Sequence, residues 1–311
     1  LSGAAGQSAA IAMNVGARLP RAPTPCDLPP EFDPHFYRSG NADLAAFPDA
    51  ELAEHFERWG ATEGRRGSPL AERAGLLAAV AARESGRILE VGPGCAPVVS
   101  GSKVRYLDIA RAEQLRARAS VDEHAASMVP YIHYVATVDA MPRSFDAAIA
   151  CRSIGHHPDL IGHLQSIGRV LVEGGLYYLV IPDRRYTSAV NLALTSVAGV
   201  IAAHVERRSV HTWESVIADR ALRIDDDVPA RWAGNKAPQP SEERAKRIAA
   251  AIDEHQQASG YIDVEAWHFT PASFQDLSAL LFDLGLSPLA PVRVWATPFH
   301  RDEFCAVLER S

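Results

Sequence analysis

The stretch Arg87-Ile88-Leu89-Glu90-Val91-Gly92-Pro93-Gly94-Cys95 constrains this chain more than any other. Apolar, partly β-branched residues run straight into a tight Gly-x-Gly turn. That is the pattern of a buried parallel strand ending where backbone must approach a ligand closely. Gly92 and Gly94 lack Cβ, so they can take positive φ and leave room for a nucleoside. Glu90 stands just before the first glycine, at the strand's carboxyl end, where open α/β sheets bind their ligands.

Two cofactor classes use such a turn. The dinucleotide fingerprint needs G-x-G-x-x-G with an acidic residue about 20 residues later. Here Pro97 takes the third glycine's place, and Asp108 comes too early for that template. The other pattern is E-x-G-x-G, which Glu90, Gly92 and Gly94 satisfy. It resembles the first motif of Rossmann-like methyltransferases that use S-adenosylmethionine (SAM).

Composition narrows the classes. With 311 residues, 47% of them hydrophobic and 22% charged, the chain has room for one large globular domain or two small ones. A net charge of −7 offers no basic field to nucleic acid. Cys26, Cys95, Cys151 and Cys305 form no C-x-x-C pair, so neither a disulfide framework nor a zinc site is expected, and a reducing cytoplasm fits. No apolar run approaches the roughly 18 residues of a membrane span. The nearest, residues 189–203, is interrupted by Asn191, Thr195, Ser196 and Gly199 and reads as a buried or amphipathic helix. The first residue is Leu1 rather than Met, so the opening residues are expected to be a cloning remnant, with Met13 the candidate native start.

Residues 1–30 are rich in Ala, Gly, Ser and Pro and are expected to be mobile. Residues 31–67 change character, with Asp33-Pro34 as a helix start and Gly60 and Gly64 as helix stops. They predict two or three short helices. Their D-P-x-x-Y, N-x-D-L, H-F and G-x-x-E-G-R pattern resembles a small helical module found beside bacterial glycan-modifying enzymes. Such a prefix packs on the main domain or docks a protein partner.

A helix is expected from Ser68-Pro69 to about Glu84, then the opening strand, then strands at 103–109, 131–136, 145–151 and 176–182. Helices at 111–118 and 158–171 separate them, the latter ending near Gly174-Gly175. This alternation predicts right-handed βαβ units in a parallel sheet. Residues 187–262 break the rhythm with a helix at about 188–205, another near 212–222, a Pro-rich turn and a charged helix at 242–255. An insertion this long after the fifth strand reads as a lid or acceptor-binding element. A helix at 271–284 and two antiparallel strands, 292–296 and 303–308, close the chain.

From about residue 68 to 311 the chain resembles a class I SAM-dependent methyltransferase. The resemblance runs through Leu89–Gly94, Tyr106-Leu107-Asp108, Asp139-Ala140-Met141-Pro142, Gly155-His156-His157-Pro158-Asp159, Arg169-Val170-Leu171-Val172-Glu173-Gly174-Gly175 and Phe269-Thr270-Pro271. Ile181-Pro182-Asp183-Arg184-Arg185-Tyr186-Thr187 is typical of a bacterial subgroup linked to glycan or surface-polysaccharide modification. The resemblance implies a doubly wound, seven-stranded, mostly parallel sheet with a helical N-terminal segment and a helical insertion.

It also implies site residues. Gly92, Pro93 and Gly94 would run beside the cofactor. Glu90 would hold loop amides or, through water, the methionyl amine. Asp108, with Ile109 beside it, would accept both ribose hydroxyls. Asp139 would accept from the adenine amino group, Ala140 and Met141 would wall it, and Cys151 and Arg152 would lie near the transferring methyl. Plainer alternatives stand beside these: Asp108 as a helix cap, Asp139 as a turn residue, Met141 as core filler.

Relatives usually carry an acidic residue before the histidine that follows strand four, and this chain has Gly155. The loss removes a carboxylate that could orient the histidine or bind the acceptor. His156 and His268 are the candidate general bases, with loop packing and core packing as their alternatives. His156, His157 and His163 lack an acidic partner at ligand spacing, so no metal is expected. The expected reaction is O-methylation of a sugar, glycan-type or related small-molecule acceptor, with S-adenosylhomocysteine (SAH) as by-product. N-methylation of a natural product is one alternative. A non-catalytic SAM-fold module that docks through residues 31–67 is the other.

Overall fold

The structure is a computed structural model. It describes residues 32–83, 86–119, 122–135, 141, 144–235, 243–258 and 260–311. The expectations for residues 1–30, for Asp139 and Ala140 and for part of the Pro-rich turn lie outside these residues.

Seven strands form one sheet: β1 (Ile88–Val91), β2 (Val104–Asp108), β3 (Tyr134–Val135), β4 (Phe145–Cys151), β5 (Leu171–Pro182), β6 (Leu289–Val294) and β7 (Glu303–Arg310). Their spatial order is β3-β2-β1-β4-β5-β7-β6. The first five run parallel, and β7 is antiparallel to both β5 and β6. This is the doubly wound α/β architecture expected.

Central strands are mostly apolar because both faces are covered, and their alternate residues feed two cores. Leu89, Val91, Ala148, Ala150, Tyr177 and Leu179 pack with the helices Leu160–Val170, Val197–Val205 and Pro271–Asp283. Ile88, Ala147, Ile149, Leu176, Tyr178 and Val180 face the other way, against Leu70, Leu76 and Val80. The N-terminal residues have a core of their own in Tyr37, Leu44 and Leu52. They join the main body where Phe299 N donates to Gly64 O at 2.7 Å and Glu72 pairs with both Arg66 and Arg301.

Several elements differ from the sequence reading, each for a local reason. The helix expected from 68 is broken. A 3₁₀ turn, Pro69–Ala71, is followed by extended Glu72 (φ −119°, ψ 151°), and the α-helix spans Arg73–Ala81. Among the described residues strand three is Tyr134–Val135 at the sheet edge and starts later than expected, since the His133 ring accepts the Tyr106 N–H that an earlier start would have bonded. The helix Glu123–Met128, capped by Asp122, precedes it. Gly174-Gly175 do not end a helix; they sit in a bulge of β5, where pairing jumps from Phe145–Leu171 to Ala147–Leu176. The apolar helix of the insertion begins at Val197, capped by Ser196, after a 3₁₀ turn at Ser188–Asn191. The rest of the insertion holds the helices Trp213–Leu222, Val228–Trp232 and Arg244–Gln257. No described helix is long and apolar enough to cross a membrane.

The break at Glu72 folds the Pro69 carbonyl over Gly75, so a Cβ at Gly75 would run into it. Gly75→Ala should therefore destabilise the protein by about 1–3 kcal/mol despite alanine's better helix propensity. Urea denaturation checks this. Equal or higher stability of the variant would contradict the packing described.

Candidate active site

Winding reverses between β1 and β4, and the crevice of a doubly wound sheet opens at that point. The turn after β1 is built there. Gly92 and Gly94 take φ +69° and +51°, a region that favours glycine. Gly92 N donates to Leu107 O at 2.8 Å, and a Cβ on Gly92 would lie 2.8 Å from Ser153 Cβ, so this glycine lets the turn pack on the loop after β4. A Cβ on Gly94 would meet nothing within 4 Å, because that position faces open space.

Glu90 is buried and accepts from Val98 N at 2.8 Å and Val99 N at 3.1 Å, bracing the loop from beneath. Burial pushes its carboxyl up to about 7, with the two amides pulling the other way. Asp108 ends β2, and its two oxygens accept from Gly94 N at 3.2 Å and Ala110 N at 3.1 Å. Burial raises its carboxyl above the usual range, against those amides. Each oxygen keeps a lone pair for a further donor.

A cavity of about 480 Å³ lies over this edge, within the usual range for small-molecule sites. Gly92, Gly94, Asp108, Ile109, Cys151, Arg152 and His156 all line it. Glu90 and Pro93 stand behind the wall, and the Arg152 guanidinium turns to Asp302 and Glu303 at 3.0 and 3.1 Å. Burial lifts the Cys151 thiol to about 11, so it stays a neutral wall. His268 is not at the cavity. It is buried with Nδ1 3.8 Å from Glu265 Oε2, and its neighbour Trp267 fills the space with an indole N–H bonded to His157 O. Met141 packs against the main core.

The far wall holds residues that sequence reasoning missed: Arg118, Arg208, Ser209, Tyr261 and Asp263. His156 Nδ1 lies 2.9 Å from Asp263 Oδ1. Burial alone would lower the His156 pKa, but the bond to Asp263 and the charge of Glu265 hold it above its ordinary value. His157 and His163 stack at 3.6 Å between centroids, and both are neutral at pH 7, burial taking His157 down to about 3. Among the described residues, no group of three or more His, Cys, Asp or Glu side chains is placed to hold a metal.

No family model and no curated protein matches the sequence. Among solved structures, the chain is similar to the CcbJ methyltransferase from Streptomyces caelestis. The identity is 11% and the TM-score 0.40, over 84% of this chain and 96% of that one. A SAM-dependent methyltransferase from Aquifex aeolicus aligns at 11% identity and TM-score 0.37, over 90% and 98% of the two chains. The DszA carbon methyltransferase aligns at 14% identity and TM-score 0.34, over 88% of this chain and 59% of its own length.

Glu90 gives the site a pH signature. Its carboxyl is raised from 4.5 to about 7 on folding, so the native state binds the proton more tightly than the unfolded chain. Stability from this group should fall as pH rises from about 4.5 to 7 and level off above, by up to about 3 kcal/mol. Denaturant unfolding of wild type and Glu90→Gln across pH 4.5–8 checks the sign. The advantage of wild type over the variant should shrink as pH rises, and a constant difference would contradict the burial of that carboxyl.

Proposed function

We propose that the chain is a SAM-dependent methyltransferase acting on a hydroxyl of a sugar, glycan-type or related small-molecule acceptor. One observation carries the reading: a single cavity joins the Gly92–Gly94 turn, Asp108 and His156 at the reversal of winding. The residues present fit the cofactor. Open space lies over Gly94, the Asp108 carboxylate stands beside it, and Leu107, Ile109 and Leu115 supply apolar walls. Asp108 would hold the ribose hydroxyls, and the glycine turn would leave room for the methionyl chain. Bound there, SAM supplies a methyl group already activated by its sulfonium.

The protein's own work is then positioning, exclusion of water and removal of a proton. His156 is the base, since its ring lines the cavity and is 37% exposed. Ser153, Ser166, Ser209 and Tyr261 also line the cavity and add neutral polar groups, which suit an acceptor rich in hydroxyls. Arg208, Ser209 and Tyr261 come from the insertion, residues 187–262, which is proposed to form the acceptor wall. Residues 31–67, outside the cavity, are the proposed docking element for a protein partner.

Calorimetry with SAM and SAH tests the cofactor site. Wild type should bind both. Asp108→Ala should weaken binding by about 1.5–3 kcal/mol, the scale of a hydrogen bond to a charged group, and Gly94→Val should abolish it. Normal binding by both variants, or none by wild type, would sink the reading. For the transfer step, mass spectrometry of hydroxyl acceptors incubated with isotopically labelled SAM should show methylation that slows about 10²–10⁴-fold in His156→Ala at unchanged SAM affinity. Full activity of that variant would remove His156 as base.

A further inference from the structure

The carboxylate missing from position 155 returns from the far end of the insertion. Along residues 261–265 the side chains alternate. Ile262 and Val264 are buried in the insertion's own core with Val216 and Ala251. Tyr261, Asp263 and Glu265 face the other way, onto the loop after β4. Tyr261 OH donates to His156 O at 2.9 Å, and Asp263 Oδ1 meets His156 Nδ1 at 2.9 Å. Glu265 fills the place a side chain at 155 would take, since a Cβ on Gly155 would lie 2.7 Å from Glu265 Cγ. The glycine is therefore a condition of this arrangement.

We propose that Asp263 is a positioning residue, which fixes His156 as the Nδ1–H tautomer and leaves Nε2 as the proton acceptor. A carboxylate accepts but cannot donate, so a neutral imidazole facing it must carry its hydrogen on Nδ1. The contact with His156 holds the Asp263 carboxyl below its usual range, against its own desolvation, so it is ionised near neutrality. The identity of the reaction rests on the methyltransferase reading above. In that reaction the acceptor O–H bond breaks and the proton goes to Nε2. The oxygen would keep that electron pair and bond the methyl as the S–CH3 bond breaks, its pair staying on the sulfur of S-adenosylhomocysteine, and the resulting imidazolium would be paired with Asp263.

Other groups around the ring leave Asp263 in that role. Glu265 is held in an ion pair with Arg223 at 2.6 Å, which opposes its charge. His157 is neutral, and His211, whose pKa burial lowers, meets the His156 carbonyl at 3.1 Å and packs its ring on Tyr261 at 5.2 Å. Arg118 acts on the Asp263 side of the pair and helps keep it ionised.

Long-range ¹H–¹⁵N spectra of the full chain, labelled on histidine nitrogen, test the proposal. His156→Gln assigns the signal. In wild type the neutral His156 should carry its hydrogen on Nδ1 and titrate above the ordinary histidine value. In Asp263→Asn its apparent pKa should fall by about one, and the Nε2–H form should appear. Asp263→Glu should restore part of the shift. Tyr261→Phe removes the bonds to the His156 carbonyl and, at 3.3 Å, to Asp263 Oδ1, but keeps the Asp263 carboxylate on the ring, so the neutral form should still carry its hydrogen on Nδ1. A wild-type titration and tautomer in Asp263→Asn would overturn the proposal, as would an equal change in Tyr261→Phe. The spectra need neither SAM nor acceptor. A failure to bind SAM in calorimetry would remove the methyltransferase reading and leave this result standing.

Discussion

The reversal of winding between β1 and β4 is the constraint on which the rest of this structure depends. From β1 the chain builds outward to β2 and β3, then starts again at β4 on the other side. The connections leave the sheet edge in opposite directions, which opens a gap between them. Whatever follows β1, β2 and β4 must meet there. The glycine turn, Asp108 and the loop carrying His156 are those three continuations. Their proximity follows from topology and needs no specific contact, although Ser153 Oγ, donating to Val91 O at 3.0 Å, locks two of them together.

The insertion reaches the same gap by a different principle. Its helices Trp213–Leu222 and Arg244–Gln257 share a small apolar core, supplemented by charge. Arg220 binds Glu254 between the two helices at 2.9 Å. Arg223 spans Asp219 on its own helix and Glu265 on the returning segment, both at 2.6 Å. His204 meets Asp159 at 3.0 Å, joining the insertion to the start of the helix after β4. Partly buried pairs of this kind contribute little net stability because desolvation offsets most of the attraction, but removing one partner is costly. They fix where the insertion sits more than how firmly it folds.

The parts of this arrangement legible in sequence are those encoded by neighbours along the chain. β1, β4 and β5 from Leu176 onward announce themselves because both faces are buried and nearly every residue is apolar, Glu90 and Asp146 standing out in otherwise apolar runs. Gly92, Gly94 and Asp108 are legible because each directly follows or ends a strand. β3 is legible as a strand but not in its extent, because at this edge a histidine ring, not backbone, bonds the neighbouring strand. Asp263 is separated from His156 by 107 residues, and no spacing rule connects them. His268 misleads for a related reason: it sits two residues before a helix that returns to the site, yet the chain turns its ring into the core. Gly155 reads in sequence as a loss. In three dimensions it is the vacancy that Glu265 occupies.

That placement ties two properties together. The groups that hold His156, His211, Tyr261 and Asp263, all belong to the insertion or to its return, as do Arg208, Ser209 and Tyr261 in the cavity wall. On the proposed function, the groups that orient the base and those that meet the acceptor share one contiguous piece of chain, while the base itself and the cofactor side belong to the sheet edge. A recombination event that exchanged residues 187–265 with those of a related chain would bring in a new acceptor wall with its own means of orienting the histidine. Point changes within the segment cannot separate the two so cleanly. On that reading, acceptor range would diversify by block exchange while the sheet edge beneath stayed the same.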